Sequence, residues 1–167
     1  MAADESESWR RWLDRHGPAL LLLARQLCHR TSDAEDAVQD GFVRFWRSRE
    51  RANDPAAYLF ACVRSAAMDS TRGRRRRARH EADAATFDAR SSVFAASVEH
   101  QELRTNVESA LARLPAEQRE VVVMKIWGEL TFAQIGEALT ISPDTAASRY
   151  RYALAKLEPA LASGAAR

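Results

Sequence analysis

Apolar residues recur at three- and four-residue spacing through nearly the whole chain, and no stretch alternates apolar and polar residues between turn signals. That period belongs to one face of a helix, so the sequence predicts an all-α protein with no strand. Only six glycines punctuate it. A length of 167 residues allows one medium domain or two small ones, and 46% hydrophobic content suffices for packed cores.

Charge is local. Net charge is only +2, yet Arg72, Arg74, Arg75, Arg76, Arg77 and Arg79 cluster within one short segment, so the rest of the chain is net acidic. Such a patch points to a polyanion contact at one place rather than general adhesion. The longest apolar run, Ala19 to Ala24, is too short for a bilayer, and Asp4, Glu5 and Glu7 do not make the basic start of a secretion signal. A cytoplasmic location without membrane insertion is expected. Cys28 and Cys62 lie in helical patterns without metal-ligand spacing and read as buried thiols. His16, His29, His80 and His100 lack metal spacing and read as surface or cap residues. With no phosphate loop and no nucleophile beside an identifiable base, neither catalysis, a metal nor a cofactor is expected.

The first helix is expected over 8–29, interrupted at Gly17-Pro18. A second begins at Ser32-Asp33-Ala34-Glu35, read as a capping box, with Val38, Phe42 and Phe45 as its buried stripe. Asp54-Pro55 starts a third, because Asp can cap free amides and Pro at the first position has none to leave unpaired. Its inner face is Leu59, Cys62, Val63 and Ala66. Residues 79–100, rich in Ala, Ser and Asp, read as a flexible linker between domains at 8–78 and 101–162. About 20 flexible residues have a mean span of about 25 Å and a limit of about 66 Å, enough to let two modules sit well apart.

Beyond the linker, helices are expected over 101–114, with Leu103, Val107, Ala110, Leu111 and Leu114 inward, and over 116–127, ended by Gly128. Thr131-Phe132-Ala133-Gln134 is a second capping box, opening a helix to Leu139. Thr140-Ile141-Ser142 turns the chain, and Ser142-Pro143-Asp144 opens a last helix to about Leu161. The final pair has helix-turn-helix spacing, with Ile135, Leu139, Ile141, Ala146, Tyr150 and Leu154 inward. Asp144, Thr145, Ala147, Ser148, Arg149 and Arg151 then face outward, where a major groove would be met. By pattern alone the pair also fits an ordinary helical hairpin of a bundle.

The segments 114–121, 130–135 and 141–149 resemble the fourth domain of bacterial sigma factors. Upstream, 34–46 is similar to the polymerase-binding helix of the second sigma domain, and Pro55-Ala56-Ala57-Tyr58-Leu59 through Asp69 and Arg72 to its promoter-melting helix. The resemblance covers about three quarters of the chain, in order, and the short length points to the extracytoplasmic-function group. It implies a transcription initiation factor that binds core RNA polymerase and promoter DNA, with an anti-sigma protein as a further candidate partner.

It also implies roles. Glu35, Asp36, Gln39 and Asp40 share one side of the second helix and would dock on polymerase. Tyr58, Arg64, Ser65, Arg72, Arg74, Arg75, Arg76 and Arg77 would hold the start-proximal element by stacking and phosphate contact. Tyr58 and Phe60 equally fit core packing, and the arginines a solvated tail. Asp144, Thr145, Ala147, Ser148, Arg149 and Arg151 would read the upstream element. The chain departs from the family pattern at Ala61, where a basic residue is common, Ser65 (Asn), Ala147 (Lys or Arg), Thr140 (Gly) and Gly136 (Ala). Two other classes compete: an autonomous helix-turn-helix regulator, which would need a dimer for half-site reading, and a helical adaptor that binds only proteins.

Overall fold

The computed structural model describes residues 2–80 and 98–164, with side chains over 8–79 and 105–159. The predicted linker falls mostly outside the described residues. Seven helices follow in order: α1 (Ala2–Leu27), α2 (Thr31–Ser48), α3 (Pro55–His80), α4 (Val98–Ala112), α5 (Ala116–Ile126), α6 (Phe132–Leu139) and α7 (Pro143–Gly164), with a 3-10 turn at Arg49–Arg51 before α3. No strand occurs among the described residues.

In the first half, α2 and α3 cross most closely. Gly41 makes this crossing, since a Cβ there would lie 2.5 Å from Val63 Cα. Phe42, Phe45, Leu59 and Val63 are buried around it, as their spacing predicts. Helix α1 covers them with aromatic rings: Trp9 meets Phe42 at 4.9 Å and Trp46 at 5.2 Å, and Trp12 meets Phe45 at 5.0 Å. This apolar cover explains one departure from the sequence reading. Helix α1 does not break at Gly17-Pro18; it passes through Pro18, where a backbone hydrogen bond is lost, because His16, Gly17, Ala19 and Leu20 are buried on either side. Nor does Ser32 cap α2. The cap position is Arg30, which makes no side-chain cap bond, and Asp33 in the first turn instead takes Arg74 Nε of α3 at 2.8 Å.

At α3 the reading holds: Asp54 Oδ1 accepts from Ala57 N at 2.9 Å, and Pro55 is the first helical residue. The helix continues to His80, so the arginine cluster is helical.

In the second half, α6 carries a complete capping box: Gln134 N donates to Thr131 Oγ1 at 3.2 Å, and Thr131 N donates to Gln134 Oε1 at 2.8 Å. Thr140 then takes a left-handed conformation (φ 57°, ψ 46°), in which its β-branched side chain is strained. Gly136 admits that turn, since a Cβ there would stand 2.7 Å from Ile141 O. Ser142 Oγ accepts from Thr145 N at 3.1 Å and opens α7. Along α7 the buried positions are Ala146, Ala153 and Leu157; Leu154, expected inward, is 40% exposed. The stripe follows steps of three and four from Ala146 through Tyr150, whose ring meets Phe132 at 5.7 Å, tilted by 59°, and Leu154 falls one place off it.

The two halves do not sit apart. Helix α5 packs on α1, and α6 packs on α3, so the buried residues of both form one continuous core. At the junction Phe60 is fully buried, and a Cβ on Gly128 would come within 2.8 Å of its ring. His16, expected on the surface, is buried here too, its ring 6.0 Å from that of Phe60. Burial, then the neighbouring Arg15 charge, lowers its pKa, against an opposing pull from Glu129.

Candidate nucleic-acid interface

Three surfaces gather the residues singled out by sequence. On α2, Asp36, Gln39 and Asp40 are exposed and Glu35 is half-buried, while Ala34, Ala37, Val38 and Gly41 turn inward. Val43 stands on the same exposed side at 42% exposure, an apolar member four residues beyond Gln39 that charge pattern alone passes over.

Between α2 and α3 lies a groove of about 500 Å³ lined by Arg44, Arg47, Ser48, Tyr58, Ala61, Cys62 and Ser65. It has a basic wall, an aromatic face and a small floor. Ala61 and Ser65, both small, leave its floor open. The Tyr58 hydroxyl meets the Cys62 thiol, and that bond, then burial, raises its pKa, against an opposing bond to Ser48. Phe60, by contrast, belongs to the core. At 3.6 residues per turn, Tyr58, Ala61, Ser65, Arg72, Arg76 and Arg79 fall within about 60° of one another around α3, so the groove runs on into an exposed arginine ridge. Arg74 lies opposite and is tied to Asp33. The cluster thus separates into the ridge of Arg72, Arg76 and Arg79, the ion pair of Arg74, and Arg75 and Arg77, exposed at other angles around the helix, a division that sequence distance alone could not make.

Arg64, read as outward-facing, points instead at the second half of the molecule. Its Nε and Nη2 donate to Glu120 Oε1 at 2.9 Å and Oε2 at 3.3 Å, and Glu120 is 5% exposed. Nothing local in 116–126 marks this glutamate as buried, because its partner lies on another helix.

The third surface is the start of α7. Asp144 and Arg151 are exposed, and Thr145, Ala147, Ser148 and Arg149 are half-buried. Arg151 Nη2 donates to Ser148 Oγ at 3.5 Å, and the neighbouring Tyr152 is 60% exposed. A helix displayed after a tight turn, with cap and start free of apolar cover, can enter a major groove by its first two turns.

Cys62 is buried and Cys28, expected buried, is only half so; both are free thiols with pKa values raised first by burial, which suppresses the reactive thiolate. No group of three metal-ligating side chains converges among the described residues, and none of their helices is long and apolar enough to cross a membrane.

Two family models match in sequence order: Sigma-70 region 2 over residues 12–77 and Sigma-70, region 4 over residues 104–157. Over 163 residues, the chain is 30% identical to the ECF RNA polymerase sigma factor SigL of Mycobacterium tuberculosis, covering 93% of this chain and 90% of that protein. The chain belongs to the sigma-70 family, in its extracytoplasmic-function group. The ECF sigma factor SigK of Mycobacterium ulcerans is 28% identical, covering 77% of this chain and 72% of its own. Among solved structures, CnrH in complex with the cytosolic domain of CnrY superposes with a TM-score of 0.64 at 25% identity, covering 95% of this chain and 90% of that one. The sigma factor RpoE of Bartonella quintana, solved with the anti-sigma factor NepR, has the same fold at a TM-score of 0.68 and 21% identity, covering 93% and 97%. As a sigma factor, the protein binds core RNA polymerase and directs it to promoter DNA in transcription initiation.

Proposed function

We propose that this sigma factor divides its work among the three surfaces. Glu35, Asp36, Gln39 and Asp40 dock on core polymerase, with Val43 adding apolar contact. The groove at Tyr58 and Ser65 receives a base of the separated start-proximal strand, Arg72 and Arg76 on the same face hold its phosphates, and Arg75 and Arg77 reach phosphates to either side. Arg64 joins them when free of Glu120, and Arg74 supports from the α2 side. At the upstream element, Asp144, Thr145, Ala147, Ser148, Arg149 and Arg151 meet the major groove, with Arg149 suited to a guanine edge. The domains run over 8–78 and 101–162, with 79–100 as the linker. The protein has no catalytic step of its own, needs no cofactor, works in the cytoplasm, and is a candidate for binding by an anti-sigma protein, as the Bartonella quintana RpoE is bound by NepR.

The observation that carries this reading is that the Tyr58 groove and the exposed Arg72, Arg76 and Arg79 share one face of α3, with Asp69, paired to Arg44 of the groove wall, between them. Run-off transcription with purified core polymerase on a genomic fragment library tests it. Tyr58→Ala and Ser65→Trp should each lower open-complex yield at least tenfold on duplex promoters and much less on premelted ones. Equal losses on both templates would remove the groove from strand capture. A dimer active without polymerase would favour the autonomous regulator instead.

A further inference from the structure

Helix α1 carries a cluster that none of the three surfaces uses. Arg11 and Arg15 stand one turn apart on its exposed side, and Trp12 and His16 one turn apart beside them, so two cationic side chains border two flat rings. Together the four line a cavity of about 210 Å³. The Trp12 and His16 ring centroids are 5.1 Å apart with their planes tilted by 32°, and the imidazole also meets Phe60 of α3 edge-on at 6.0 Å.

His16 decides what the cavity can hold. It is only 7% exposed, yet among the described residues nothing hydrogen-bonds its ring nitrogens. A buried imidazole in that position is costly unless something in the cavity supplies a partner. Arg15 makes no ion pair among the described residues either. Burial, then the Arg15 charge, disfavours the protonated ring, and the opposing carboxylate is Glu129, from the turn between α5 and α6. Asp14, the acid nearest in sequence, lies about 160° from His16 around α1. No carboxylate lines the cavity itself, so its positive charge has no counterpart inside. Water can hydrogen-bond the imidazole but cannot balance the arginines. A compact oxyanion does both, accepting from the guanidinium forks and from the ring N–H groups at once. Size narrows the ligand further. The cavity lies below the roughly 300 Å³ at which sites for larger organic ligands begin, and fits one tetrahedral oxyanion with a few waters of about 30 Å³ each.

We propose that Arg11, Trp12, Arg15 and His16 form a binding site for a single phosphate-class oxyanion, either free or carried on a nucleic-acid backbone. The arginines hold its charge, His16 donates from the interior, and Trp12 forms a wall. All four residues belong to α1, so the site is separate from the α2 face and from the α3 groove and does not depend on their assignments. A bound anion offsets the Arg15 charge at His16, so anion binding and protonation of His16 reinforce each other. Glu129 competes with the anion and weakens it.

The probe is sulfate, a tetrahedral dianion throughout the range where histidine titrates, applied to the full chain. Imidazole NMR signals are followed through pH in sodium sulfate and in sodium chloride of equal ionic strength, with His16 identified by its loss in His16→Gln. Sulfate should raise the His16 midpoint by about one pH unit over chloride, leave exposed His29 unmoved, and bind up to about tenfold more tightly at pH 5.5 than at pH 7.5. Arg15→Gln, an exposed change that removes no packing, should weaken sulfate about tenfold, and Glu129→Gln should tighten it about threefold. An equal His16 midpoint in sulfate and chloride, or undiminished sulfate binding by Arg15→Gln, would overturn the site. Single-stranded promoter DNA then separates the two sources: displacement of sulfate from His16 assigns the site to a nucleic-acid backbone, and retention of sulfate assigns it to a free phosphate-class anion.

Discussion

The halves of this sigma factor are stabilised in different ways. Region 2 is built from long helices whose aromatic faces lock together, and it tolerates a proline inside α1 and an uncapped start to α2. Region 4 relies on α5 and α6, short helices with an aliphatic core, and there the ends are specified residue by residue: Thr131 with Gln134, Ser142 with Thr145, and left-handed Glu129 and Thr140 at the turns. Where packing area is large, it overrides local end signals; where helices are short, those signals carry a larger share of the stability.

The strongest way to break this contrast is at the close approaches. Gly41→Ala puts a methyl group within 2.5 Å of both the backbone and the side chain of Val63 and should cost about 3 kcal/mol or more, while Gly136→Ala meets one backbone atom closely, Ile141 O at 2.7 Å, and should cost less, about 2 kcal/mol. Urea denaturation ranks them, and the reverse order would refute the account of a rigid region 2. Next come the caps. Thr131→Ala should cost about 1 kcal/mol, whereas Ser32→Ala should stay within about 0.5 kcal/mol, since only the first closes a box.

A pH-dependent effect sharpens the comparison at the junction. Because burial depresses the folded pKa of His16 below its ordinary 6.5, the unfolded chain takes up a proton more readily. Stability is therefore full above about pH 6.5 and declines as pH falls toward the lower folded value, with Arg15 adding to the penalty and Glu129 opposing it. Denaturation curves at pH 7.5 and 5.5 should separate more for wild type than for His16→Phe, and equal separation would remove His16 from the linkage. The smallest change is a gain. Thr140→Gly relieves the left-handed conformation, and after the entropy lost to glycine should add about 0.5 kcal/mol, visible as a slightly higher Tm.

These differences also set what sequence could reveal. The capping box at Thr131, the Asp54-Pro55 start and the Ser142 start were legible because each is complete within four residues. Ser32-Asp33-Ala34-Glu35 offers the same pattern, but α2 starts at Thr31 with Arg30 at its cap and Asp33 turned to Arg74, 41 residues away, so Ser32 lies inside the first turn and the box does not form. Gly17-Pro18 reads as a break for the same reason: the core that holds the helix through it comes from α2 and α3. The candidate surfaces divide likewise. The faces of α2 and of early α7 follow from helical period, whereas the inward turn of Arg64, the burial of Glu120 and of His16, and the separation of Arg74 from its neighbours depend on contacts between the halves or between distant helices.

The continuation of α3 to His80 has a consequence of phase. Because the arginines stand on the same rigid rod as the groove, roughly 16 Å of axis separates Ser65 from Arg76, and both face the same azimuth. The rod thus acts as a ruler rather than a tether. One residue inserted near Ser70 would turn the ridge by about 100° and advance it by only 1.5 Å, while four inserted residues would advance it about 6 Å and bring it nearly back into alignment. Activity plotted against insert length should therefore oscillate with the helical pitch instead of declining smoothly, a signature that distinguishes a fixed register between pocket and ridge from a loosely held basic tail.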